Sequence, residues 1–130
     1  MGLDLKLHVV RTLETWDNKV LTGVALFSLV REYALFGQLG SWPLDCQGLG
    51  PVIQNARAIV FPRPLPSGVV LERLSGHGYE RTDKDAFDDR LTSAVAGELL
   101  KASPENPWNK AVWSFLAAVP AETEVVLYWC

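Results

Sequence analysis

The stretch "LSGHGYERTDKD", Leu74 to Asp85, gathers reactive side chains at close spacing: His77 between Gly76 and Gly78, then Tyr79, Arg81 and several carboxylates. Glycines let a backbone adopt positive φ and come close to a ligand. A helix is expected to start just beyond, and helix N-termini attract anions, so the segment reads as a cradle for a phosphate or carboxylate. His77, Tyr79 and Arg81 add donors and a stacking surface. The plainer reading is a glycine turn with Tyr79 packed beside the helix.

Catalysis asks more of the same residues. His77 with Asp83 or Asp85 makes a general base and its orienting carboxylate, whereas Ser75 lies in no nucleophile-elbow pattern. "DKDAFDD" supplies carboxylates but lacks the glycine and terminal glutamate of a calcium loop, and acids belong in a first helical turn for dipole reasons. Asp4, Lys6 and His8 alternate along an early strand as a second polar face. No metal and no cofactor is expected. P-loop, dinucleotide-glycine, zinc-ribbon and aromatic RNA-binding motifs do not occur.

The elements that must position these groups follow from composition and periodicity. A chain of 130 residues, 48% hydrophobic and 21% charged, fits one globular domain spanning 1–130. Its net charge of −3 argues against non-specific nucleic-acid binding, which needs a basic face. The start resembles no signal peptide and no segment reads as a membrane span, so a soluble cytoplasmic protein is expected. Cys46 and Cys130 read as two thiols of a reducing compartment.

Leu3, Leu5, Leu7 and Val9 alternate with polar residues as in a half-buried strand. "TWDNK" turns the chain, and 19–30 reads as the second strand of a hairpin, with a helix over 20–35 as competitor. "YALFGQLG" is a short helix or turn, and "FPRPLP" is extended. A helix capped by Thr82 or Asp83 would bury Phe87, Leu91, Ala94, Val95 and Leu99. Asn106 caps a second helix with Pro107 in its first position, burying Trp108, Ala111, Val112, Phe115, Leu116 and Val119. "TEVVLYW" is a closing strand, apolar on both faces. The expected fold class is α+β: a small, mainly antiparallel sheet, an N-terminal hairpin plus the C-terminal strand, with helices packed on one face.

Five segments in this order, "MGLDLKLHVV", "REYALFGQLG", "PRPLP", "GHGY" and "EVVLYW", resemble a family of phage and bacterial proteins without assigned activity. Its members open like "MGCDIHLYVE" and carry "RNYDLFAILADVR", "PRGLP", "HSHS" and an ending such as "RIVFWF". The family's early histidine falls on Lys6 here, and of its paired histidines only His77 remains. The resemblance implies a place rather than a reaction: Asp4, Arg31, Tyr33, Phe36, Arg63, His77 and Tyr79.

The expected function is a small, non-enzymatic accessory protein of phage type. Arg63, Arg31 and His77 would hold an anionic, nucleotide-like ligand, with Tyr79 or Tyr33 stacked on it and Arg81 beside. By analogy such a protein would interfere with host defence signalling, by sequestering a nucleotide or capping a host protein. The alternatives are a small hydrolase or phosphoesterase using His77 as general acid or base, and a protein-interaction module anchored by Trp16 or Trp42. A chain this small and apolar is also expected to be capable of homo-oligomerisation, with no interface singled out.

Overall fold

A computed structural model describes residues 3–14, 19–43 and 58–130. The chain pairs β1 (Leu5–Glu14) with β2 (Lys19–Ser28) in an antiparallel hairpin. The register slips between Val9 and Val10: Val9 faces Ala25 but Val10 faces Gly23, so Val24 is an extra residue on β2. A bulge of this kind bends the strand and increases its twist. On the Leu5 side of the bulge, Leu7, Val9 and Phe27 pack towards the helices. Beyond it, Val10 and Leu21 turn to a second core.

Five further strands complete the sheet: β3 (Arg63–Pro64), β4 (Val69–Ser75), β5 (Gly78–Thr82), β6 (Thr92–Val95) and β7 (Glu124–Trp129). The order is β3-β6-β7-β1-β2-β4-β5, with β2 and β4 parallel and all other neighbours antiparallel. β7 lies inside the sheet between β6 and β1, and Val125 to Trp129 are all buried. The helices among the described residues are α1 (Tyr33–Gln38), α2 (Ala96–Leu99) and α3 (Pro107–Ala118).

The expected α+β class, a small sheet with helices packed on one face, is therefore corrected. Strand outweighs helix among the described residues, 43% to 20%, and the seven strands form a curled, mixed half-barrel. Two local departures produce the difference. The segment expected to be a helix from Thr82 to Leu99 is β5's end, a loop, β6 and the single turn α2. Here the Asp85 carboxylate accepts the N–H groups of Phe87 and Asp89, the Thr82 hydroxyl accepts that of Lys84, and Asp88 sits at φ 63°. Such side-chain bonds give the backbone an alternative to helix, and a left-handed residue ends any helical run. The second departure is "VVLERLSGHGYERT", which forms the β4–β5 hairpin, with Glu72 opposite Arg81 and Arg73 opposite Glu80.

The curl gives the sheet two cores. The first joins Leu5, Leu7, Val125, Leu127 and Trp129 to Leu35, Phe36, Trp113 and Leu116 of the helices. The second, on the other face, gathers Val10, Leu21, Leu65, Leu71, Leu91, Val126 and Tyr128. The loop after β5 closes this second core. The Leu91 N–H donates to the Asp83 carbonyl, and the Leu65 N–H donates to that of Leu91, so main-chain bonds link the ends of both edge strands.

Helix α3 begins as its sequence requires. The Asn106 side chain accepts the Trp108 N–H, with Pro107 in the first turn. Of the expected stripe Leu116 is buried and Val112, Phe115 and Val119 pack partly buried on the first core, whereas Trp108 and Ala111 are exposed and Asn109 and Trp113 take their place on the buried face. The Trp113 indole N–H donates to the carbonyls of Leu99 and Ala102 at 3.1 and 3.0 Å, tying the end of α2 to α3. Trp113→Phe keeps most of the apolar bulk and removes the donor for both carbonyls. A loss of about 1–2 kcal/mol in urea unfolding is expected, and an unchanged midpoint would refute the tie.

Candidate functional site

The structure distributes the residues singled out in the sequence over three places. Asp4 and Arg31 form one of them. The Arg31 guanidinium donates to both Asp4 carboxylate oxygens, at 2.7 and 3.0 Å, and this hydrogen bond holds the Asp4 carboxyl below its usual range. Asp4 also extends the β1–β7 ladder by exchanging main-chain bonds with Cys130. The pair therefore clasps the strand entrance, and Arg31 is committed to Asp4. Tyr33 nearby is half-buried, edge-on to Phe36 at 6.0 Å, and packs on the first core.

The second place is the β4–β5 hairpin. His77 is exposed in the turn, where the Ser75 hydroxyl donates to the Gly78 carbonyl and accepts the His77 N–H. Gly78, at φ 103°, supplies the positive φ this turn needs. No helix begins here, so the expected anion cradle at a helix N-terminus is corrected to a hairpin turn. Tyr79 is 78% exposed opposite exposed Leu74, and Arg81 lies 3.7 Å from the Glu72 carboxylate across the strands. Asp85, a suggested partner of His77, spends its carboxylate on its own loop, and burial raises its pKa. Trp42, suggested as a partner anchor, packs half-buried on the first core; Trp16 and Cys46 lie outside the described residues.

Arg63 is the third place, on edge strand β3, at the opposite end of the strand order from β5. Of the residues singled out, it lines a cavity of about 580 Å³, together with Phe61, Ser93, Ala94, Val95, Glu98 and Glu124. That volume falls in the usual range for small-ligand sites, roughly 300–1,000 Å³. Arg63 stands opposite Ser93 and Val95 opposite Glu124, so three adjacent strands position the polar groups. The Ser93 hydroxyl donates to Glu124 Oε1 at 2.6 Å, and Glu98 pairs with Lys101 at 2.9 Å. Arg63 is exposed and makes no ion pair among the described residues; Phe61 beside it is 71% exposed. A free guanidinium, an open aromatic face and two oriented carboxylates suit a small molecule that carries both an anionic group and hydrogen-bond donors.

Sequence reasoning found Arg63 through "PRPLP" but missed Ser93, Glu98 and Glu124. Read as helical, Ser93 and Glu98 had no visible relation to Arg63. Only the β3–β6–β7 pairing brings them together.

A further polar cluster escaped sequence reasoning almost entirely. His8, expected on a solvated strand face, is 4% exposed and its Nε2 has no hydrogen-bond partner. Its ring meets Tyr128 edge-on at 6.1 Å, and the Arg73 guanidinium lies 4.1 Å above the Tyr128 ring while donating to Glu80 at 2.7 Å. Burial, and then the charges of Arg73 and Lys6, hold the His8 pKa down to about 4. A neutral imidazole over a cation–π pair is a packing arrangement and a weak base. Burial also raises the Cys130 thiol, leaving it protonated and a poor nucleophile.

Among the described residues, no group of three or more His, Cys, Asp or Glu side chains is placed to hold a metal. No helix among them is long and apolar enough to cross a membrane. In comparison with known proteins, the chain matches no family model, no curated protein and no solved structure.

Proposed function

We propose that this chain is a small binding protein for an anionic, nucleotide-like ligand, held in the Arg63 cavity. The observation that carries the reading is a guanidinium with no ion pair among the described residues in the lining of a ligand-sized cavity, together with exposed Phe61. Arg63 takes the anionic group in a forked contact, and Phe61 replaces the tyrosines as the stacking surface. Arg31 and His77 are left out of the site, one committed to Asp4 and the other carried on the β4–β5 turn. The resemblance of its segment order to that of a family of phage and bacterial proteins supports an accessory role, in which the ligand is a host signalling nucleotide withdrawn from use.

A thermal-shift screen tests this. A ligand at about 100 times its Kd adds roughly 2.7 kcal/mol, a shift of several degrees in a domain of this size. Arg63→Ala is expected to abolish the shift, with the melting temperature of the free protein within about 3 °C of wild type, as for most surface substitutions. His77→Gln is expected to bind normally. Undiminished binding by Arg63→Ala overturns the assignment, and recovery of a cleaved nucleotide makes the protein an enzyme.

A further inference from the structure

Building on that reading, we infer that the Arg63 cavity is selective for nucleotides with a single phosphate group and disfavours polyphosphates and dinucleotides. Among the described residues the lining carries one free cation, Arg63, against the carboxylates of Glu98 and Glu124. Lys101 neutralises Glu98 at 2.9 Å, which leaves Glu124 as the charge opposing Arg63 across the site. A first phosphate finds its counter-charge in Arg63. A second finds none among the described residues and meets Glu124.

The Ser93 hydroxyl in the lining is already engaged. Ser93 spends its one O–H on Glu124 Oε1, at 2.6 Å, and so fixes that carboxylate in place. An ionised carboxylate only accepts hydrogen bonds, so the part of the ligand facing Glu124 must donate, as sugar hydroxyls or a base amino group do. Ala94 and Val95 add apolar lining, and Phe61 offers the face on which a base can lie. α2, a single turn, supplies no N-terminal anion site that could take a further phosphate.

Calorimetric titration of the full chain with the four ribonucleoside 5′-monophosphates, 3′,5′-cyclic AMP, cyclic di-AMP and the matching triphosphates, at constant ionic strength, tests the inference. The best monophosphate, linear or cyclic, is expected to bind at least tenfold more tightly than its triphosphate and than the dinucleotide. Glu124→Gln keeps the acceptor for Ser93 and removes the charge, so the preference should shrink to under about threefold. A wild-type protein that binds triphosphate or dinucleotide as well as monophosphate overturns the charge selectivity and leaves the anion-binding reading standing. An unchanged preference in Glu124→Gln overturns the role of that carboxylate. Failure of every nucleotide to bind below about 1 mM removes both the inference and the reading beneath it.

Discussion

Asn109→Ala is expected to destabilise the protein by about 3 kcal/mol, a fall of roughly 10 °C in melting temperature. Asn109 is 1% exposed on α3, and its amide matches the main chain of Val30 in both senses. Its Oδ1 accepts the Val30 N–H at 2.9 Å, and its Nδ2 donates to the Val30 carbonyl at 2.8 Å and to Glu32 at 3.1 Å. Glu32 in turn accepts the N–H groups of Glu105 and Asn106, at 2.7 and 3.1 Å, where α3 begins. One amide and one carboxylate thus fasten the end of the hairpin to the start of a helix almost eighty positions away. Alanine removes the amide and leaves both Val30 groups and a Glu32 oxygen short of partners, at about 1–3 kcal/mol for each group that water does not reach. Urea unfolding of wild type and variant measures the difference. A loss below about 1 kcal/mol would mean that water replaces the amide and the latch is incidental.

Acid should weaken the fold through His8. The folded-state pKa is depressed to about 4, while an unfolded histidine titrates near 6.5. Between those values the unfolded chain binds the proton and the folded chain does not, so stability falls as pH drops from about 6.5 towards 4 and levels off below. The expected loss is about 2.5 kcal/mol by pH 4.5, from 1.36 kcal/mol per pKa unit. Arg73 and Lys6 both oppose a second proton on the imidazole by like charge, and its Nε2 has no hydrogen-bond partner among the described residues. Asp85 works in the opposite direction. Its pKa is raised by burial, so protonating it on the way down in pH relieves a cost. His8→Phe should flatten the profile between pH 7 and 4.5 while keeping the edge contact with Tyr128. Parallel profiles for the two proteins would exclude His8 as the source.

What the sequence displayed was the chemistry settled within a few residues. Asn106 and Pro107 mark the start of α3 because cap and first turn are local. The alternation of Leu5, Leu7 and Val9 marks β1 for the same reason. The run from Thr82 to Leu99 misled because five apolar residues fit a helical period, while Asp85 and Asp88 divert the main chain by bonds that periodicity does not register. The β4–β5 hairpin was legible in principle: Glu72 with Arg81 and Arg73 with Glu80 are opposite charges placed symmetrically about Gly76 and His77. The site was only partly legible. Arg63 stood out, whereas Glu124 joins it through two successive strand pairings, β3 with β6 and β6 with β7, each between segments about thirty residues apart. His8 looked solvated because alternation shows which residues share a face, and says nothing of whether a curled sheet will cover that face.

The position of β7 bears on how the chain is made as well as on how it is held. β1 leaves the ribosome about 120 residues before β7, the strand that will sit beside it. At roughly 5–20 residues per second that is an interval of some 6 to 24 s. Throughout it β1 has β2 on one flank only, and Leu5, Leu7 and Val9 wait beside an open row of main-chain donors and acceptors. The strand that joins the β3–β6 pair to the rest of the sheet is the last of the seven described strands to be synthesised. The nascent protein must pass through a state resembling an unprotected edge, the kind that recruits other chains. Expression yield should therefore depend on what shields β1 during synthesis more than on how stable the finished half-barrel is.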